Sequence, residues 1–305
     1  MNGSTNPSTK WTPYLLSVVR FVAGFLFIQH GLEKLWGFAG GRIDRDFTAI
    51  HGIAGLIETP GGLLLMLGLF ARPTAFILCG EMAVAYFHSW APHGFWPIAN
   101  GGEGSVIYCY VFLWLVAAGA GPWSLDALIQ RNRQKVPAVA DWETYARSIL
   151  RIIVAFTFTL HGYRLFFGFF AVARGGRRGA APMALDSLPH LVGLVGIVGG
   201  TLLFLGLFTR LTSLVLCLEL AAAYLSSSLL RAPWPIRNGG EEAVLYFFVF
   251  LYFAAAGAGA WSLDHLLAKT KPKVKLDYST AATSTGDWLD PADGSAVTSP
   301  SKPTS

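Results

Sequence analysis

Apolar residues run along this chain in long continuous stretches, and eight of them approach the roughly 20 residues of helix needed to cross a hydrocarbon core. They cover residues 14–35, 52–70, 73–90, 103–120, 145–167, 189–208, 211–229 and 241–258. A transmembrane strand needs only about 10 residues and alternates polar with apolar positions. No such alternation occurs, so the pattern predicts an all-α integral membrane bundle of eight transmembrane helices.

The polar residues between and within these stretches recur. Arg20 and His30-Gly31 reappear as Arg151 and His161-Gly162, displaced by 131 positions. Gly68-Leu69-Phe70, Glu81, Asn100-Gly101-Gly102-Glu103, Tyr108 and Trp123-Ser124-Leu125-Asp126 reappear displaced by 138, an insertion of seven in the second copy. Repetition at a fixed period is read before other signals. It predicts two homologous four-helix units, 11–130 and 142–268, between a polar N-terminal stretch 1–10, a cytoplasmic linker 131–141 and a disordered cytoplasmic tail 269–305. Fused in one chain, the units form an intramolecular pseudo-dimer.

Composition agrees: 53% of residues are apolar and 13% are charged. The pI near 9.2 comes from cations flanking apolar runs. It argues for an anionic lipid surface rather than nucleic acid as partner. With Lys10, Arg72, Arg147 and Arg210 on the inner face, the positive-inside rule puts both termini in the cytoplasm. The expected location is the plasma (inner) membrane.

Ionisable residues inside a bilayer are costly and become functional candidates by default. Glu81 and its counterpart Glu219 fall in the middle of the third apolar segment of each unit. They can lock helix packing or serve proton transfer and binding. Glu58 follows His51 by seven positions and His88 follows Glu81 by seven, spacings that share a helical face. The second unit has Pro189, Gly196 and Ser226 at the positions of His51, Glu58 and His88. A chemically active pocket is therefore expected in the first unit. His30 and His161 read as structural histidines or ligand contacts. Asn100 with Glu103, and Asn238 with Glu241, have the spacing of a helix-capping box, and their glycines could also expose backbone donors to an anion.

Three cysteines without a Cys-x-x-Cys disfavour a self-contained thiol relay. No attached-haem, Walker or His-Glu-x-x-His zinc motif is present, so no covalently bound cofactor and no metal site is expected, and haem is disfavoured. The order Arg20, His30-Gly31 with Lys34, Glu58 before Gly61-Gly62, Gly68-Leu69 with Arg72, Glu81, Asn100-Gly101-Gly102-Glu103 and Ser124-Leu125-Asp126 resembles the DoxX-like membrane proteins. That resemblance implies a fused pair of four-helix units. The family's name derives from a membrane subunit of an archaeal thiosulfate:quinone oxidoreductase. The resemblance thus implies a membrane subunit or accessory of a quinone-linked oxidoreductase. Glu58 and Glu81 would then manage protons, His30 and His88 would contact a quinone, and a soluble redox partner would carry electrons. A small-solute or lipid carrier and a non-catalytic membrane scaffold stand beside this reading.

Overall fold

A computed structural model describes residues 7–41, 43, 46, 49–131, 142–169 and 188–270. The expectations for the first six residues, most of the linker and the tail beyond Thr270 lie outside the described residues.

Every regular element among the described residues is helical. The first half contains α1 (Pro7–Trp36), α2 (Ile50–Leu67), α3 (Ala71–Ala85), the one-turn α4 (Pro97–Asn100), α5 (Glu103–Ala118) and α6 (Leu125–Arg131). The second contains α7 (Trp142–Phe167), α8 (Leu188–Leu205), α9 (Thr209–Ala223), α10 (Pro235–Asn238), α11 (Glu241–Ala256) and α12 (Leu263–Thr270). A π turn extends α3 through Trp90 and another extends α9 through Ser228.

Five helical segments are long and apolar enough to span a membrane: Lys10–Trp36, Ile50–Leu67, Trp142–Phe167, Leu188–Leu205 and Thr209–Ser228. The helix α5 is also apolar but has 16 residues, about 24 Å at 1.5 Å per residue. The outer surface carries large apolar side chains, among them Phe76, Phe87 and Leu218. Lipid, as apolar as these residues, removes the penalty that water would impose on such a surface.

Small residues bring the first two helices of each half together. A Cβ added at Gly62 would lie 2.8 Å from the backbone nitrogen of Ile28, and one at Gly24 would lie 2.8 Å from the carbonyl oxygen of Gly62. So α1 and α2 meet backbone to backbone, as do α7 and α8 around Gly162 and Gly196. The helix α3 packs on α5, and α9 on α11. The two halves interleave, because α1 lies along α11 and α5 along α7.

One group of recurring residues fastens the helix ends. The buried Arg20 guanidinium, 1% exposed, donates to the carbonyls of Met66 at 2.8 Å, Ala120 at 2.8 Å, Trp123 at 2.5 Å and Leu65. Leu65 and Met66 lie in the last turn of α2, where carbonyls lack partners within the helix; Leu65 also accepts the Gly68 N–H at 3.0 Å, and Arg20 binds both to the turn after α5. Arg151 does the same for Leu203, Phe204, Ala258 and Trp261.

The Asp126 carboxylate then accepts the backbone N–H groups of Phe70 and Ala71, both at 2.9 Å, at the start of α3. Asp264 caps α9 through Phe208 and Thr209. Gly68, at φ +64, closes α2 where an added Cβ would strike the Ser124 Cβ at 2.4 Å. These contacts account structurally for the recurring Gly-Leu-Phe and Trp-Ser-Leu-Asp sequences.

Candidate functional site

The other recurring polar residues gather ten residues further along α1 from Arg20, about 15 Å away at helical rise. Here the two halves exchange partners. His30 on α1 places Nε2 2.7 Å from Glu241 Oε1 at the start of α11. Tyr108 on α5 donates its hydroxyl to the same oxygen at 2.5 Å. The reciprocal set joins His161 on α7 to Glu103 on α5 at 2.8 Å, with the Tyr246 hydroxyl donating to Glu103 at 2.6 Å. Tyr246 Oη also lies 2.7 Å from Thr157 Oγ1. Each half therefore supplies a histidine and a tyrosine to a glutamate of the other.

This arrangement differs from the capping box expected at Asn-Gly-Gly-Glu. The residue flanking α5 is Gly102, which has no side chain to cap the helix. Asn100 Oδ1 accepts the Gly102 N–H at 2.8 Å, while its amide donates to the Gly94 carbonyl at 2.8 Å. Asn238 repeats this with Gly240 and Ala232. The asparagines tie the loop to itself. The glutamates turn inward, where each meets a half-buried imidazole and a buried phenol of the other half.

Beside the first of these knots lies a cavity of about 520 Å³, formed by the first half together with the start of α11. Its walls are mainly apolar, including Phe27, Ile53, Ile57, Ile77 and Leu245. Four carboxylates face it, those of Glu58, Glu81, Glu241 and Glu242, with the basic side chains of His30, Lys34 and His51. Glu58, 3% exposed, receives the Lys34 ammonium on both oxygens at 2.7 and 2.6 Å. Glu81 differs: both its oxygens are buried and neither has a hydrogen-bond partner among the described residues. An unpartnered buried polar group is expensive, and here it borders a space large enough for a ligand.

The sequence-derived site residues divide accordingly. Glu58, Glu81 and His30 line the cavity, joined by Glu241 from the second half. Glu103 and His161 lie on the reciprocal knot. Asn100 and Asn238 serve the loops. Glu219 keeps one buried oxygen unpartnered on α9, at the position corresponding to Glu81. His88 is exposed and does not line the cavity, whereas Ser89 and Trp90 do. The π turn Tyr86–Trp90 widens the helix locally, so seven positions after Glu81 no longer return to its face.

Sequence reasoning gives no role to Tyr108, Tyr246 or Glu242. The tyrosines recur at the common displacement, the one signal that points to them. Glu242 stands where the first half has Gly104, so repetition hides it. The second half also lacks the Lys34–Glu58 pair, with Leu165 and Gly196 instead. A Cβ on Gly196 would lie 3.2 Å from the Gly162 Cα, so the close helix approach occupies the space that a longer side chain would need.

The DoxX family model matches residues 15–90 and 146–228, two separate regions compatible with a pseudo-dimer. An uncharacterized protein of Haemophilus influenzae is 41% identical over 130 residues, covering 40% of this chain and 95% of that protein. An uncharacterized membrane protein of Mycobacterium tuberculosis is 25% identical over 131 residues, covering 37% of this chain and 80% of that protein. No solved structure matches. Matched in both halves and built of apolar helices, this chain is a membrane protein that belongs to the DoxX family.

Proposed function

We propose that the protein is the integral membrane subunit of a quinone-linked oxidoreductase system, with the first-half cavity receiving the quinone head group. The observation that carries this reading is the unpartnered Glu81 carboxylate beside an apolar cavity of about 520 Å³. That volume falls within the roughly 300–1,000 Å³ typical of small-molecule sites. Reducing a quinone to a quinol takes two electrons and two protons. Glu81 and Glu58 are placed to move protons, His30 and Tyr108 border the head group, and apolar walls suit the ring and its tail. The electrons come from a soluble partner docked on the cytoplasmic side.

In this reading the chain is an internal duplication. It crosses the plasma membrane eight times, the shorter α3, α5 and α11 completing the spans, and both termini are cytoplasmic. Reporter fusions after Lys10, within 131–141 and at Ser305 should all report the cytoplasm.

The functional test is solvent extraction and mass spectrometry of the purified protein. A quinone near one per chain, lost in Glu81→Gln that remains folded, is the expected result. Absence of quinone with retention of a specific lipid or solute would replace this reading with a carrier.

A further inference from the structure

The reciprocal knots are not equivalent. Around Glu241 sit His30 and Tyr108, and the position that would supply a second carboxylate is Gly104. Around Glu103 sit His161 and Tyr246, and here the second half adds Glu242. We propose that Glu103, His161 and Glu242 bind one divalent transition-metal ion where the two halves meet.

Four points support this site. One donor atom from each residue, on three different helices, lies within 4.8 Å of the other two. The Glu242 side chain makes no hydrogen bond or ion pair among the described residues, although it faces a knot whose other members are all partnered. The fold also does not need it, since the first knot forms without a counterpart. Gly104 leaves it room: a Cβ there would lie 3.5 Å from Glu242 Oε1.

Charge points the same way. Two carboxylates face one imidazole, which can neutralise at most one of them. Arg164, on the same helix as His161, adds positive potential but forms no ion pair with either glutamate. A divalent cation balances the pair directly.

One imidazole nitrogen and two carboxylate oxygens suit the borderline ions Zn²⁺ and Fe²⁺ and, through the carboxylates, the harder Mn²⁺. Ligation at about 2.0–2.2 Å sets ligand atoms roughly 3.0–3.5 Å apart, so Glu242 moves inward while the 2.8 Å His161–Glu103 contact opens slightly, the ion replacing the proton shared by that pair. Three protein ligands leave a coordination position open, and Glu242 also lines the cavity, giving the ion a route in. The site does not depend on the cavity accepting a quinone.

The test uses full-length protein in lipid nanodiscs, stripped with chelator and titrated with Zn²⁺ against a chromophoric competitor, with bound metal counted by mass spectrometry. One ion per chain is expected. Glu242→Gln and Glu242→Gly should each weaken binding by roughly tenfold or more, with thermal unfolding of the metal-free protein unchanged. Failure to bind near one equivalent would overturn the proposal. So would wild-type affinity in both Glu242 variants. His161→Ala should likewise lose the ion, and retained binding there would exclude the proposed ligand set.

Discussion

Glu103 opens α5 in the first half, His161 lies near the end of α7 in the second, and their side chains meet at 2.8 Å. With Tyr246 on the same carboxylate, this contact makes the halves depend on each other for polar satisfaction. Glu103→Ala leaves a half-buried imidazole and a buried phenol without their acceptor and should destabilise the protein by about 2–4 kcal/mol. Glu103→Gln keeps an acceptor and should cost less. Denaturant unfolding in detergent measures both. Equal effects would show that packing rather than hydrogen bonding dominates.

Lys34 and Glu58 form a pair that the second half dispenses with. Removing only Glu58, in Glu58→Gly, should cost roughly 3–5 kcal/mol because it strands a largely buried ammonium. Adding Lys34→Leu reproduces the residues of the second half and should recover much of the loss. A double-mutant cycle should give a coupling of about 0.5–3 kcal/mol, and strict additivity would contradict the pairing.

The four carbonyls around Arg20 require a planar fork of donors. Lysine offers one compact ammonium and cannot span them. Arg20→Lys and Arg151→Lys should each destabilise by about 2–4 kcal/mol despite conserving charge, a difference that thermal unfolding will register.

Asp126→Ala removes the cap on α3 and should cost about 1 kcal/mol. Amide exchange should accelerate selectively at Phe70 and Ala71, the two groups whose acceptor is lost. Asp264→Ala should do the same at Phe208 and Thr209. Uniform acceleration over the whole chain would mean a global rather than a local effect.

The Glu81 carboxylate has no hydrogen-bond partner among the described residues, so Glu81→Gln should change stability by less than about 1 kcal/mol while abolishing quinone retention. A large loss of stability would instead assign Glu81 to helix packing.

Several residues of the cavity are legible in the amino-acid sequence alone. Glu58, Glu81 and His30 stand out because charge inside an apolar helix is costly, and all three line one cavity. The preference for the first half follows from Gly196 in place of Glu58. Other residues escape a linear reading for local reasons. The expected capping box treats Glu103 as a neighbour of its own helix end, and it cannot register competition from His161 and Tyr246. The Glu81–His88 spacing assumes an unbroken α-helix, which the π turn interrupts.

The sequence by itself determined the membrane character, the helical class and the correspondence of residues between the halves, because hydropathy, length and fixed displacement are properties of a linear chain. Tertiary structure decided which corresponding residues touch. His30 and Glu241 are 211 positions apart, and the displacement that equates His30 with His161 says nothing of the helix each will face. That choice came from α1 lying against α11 and α5 against α7, where close helix packing puts buried polar groups within reach of the other half's donors and acceptors.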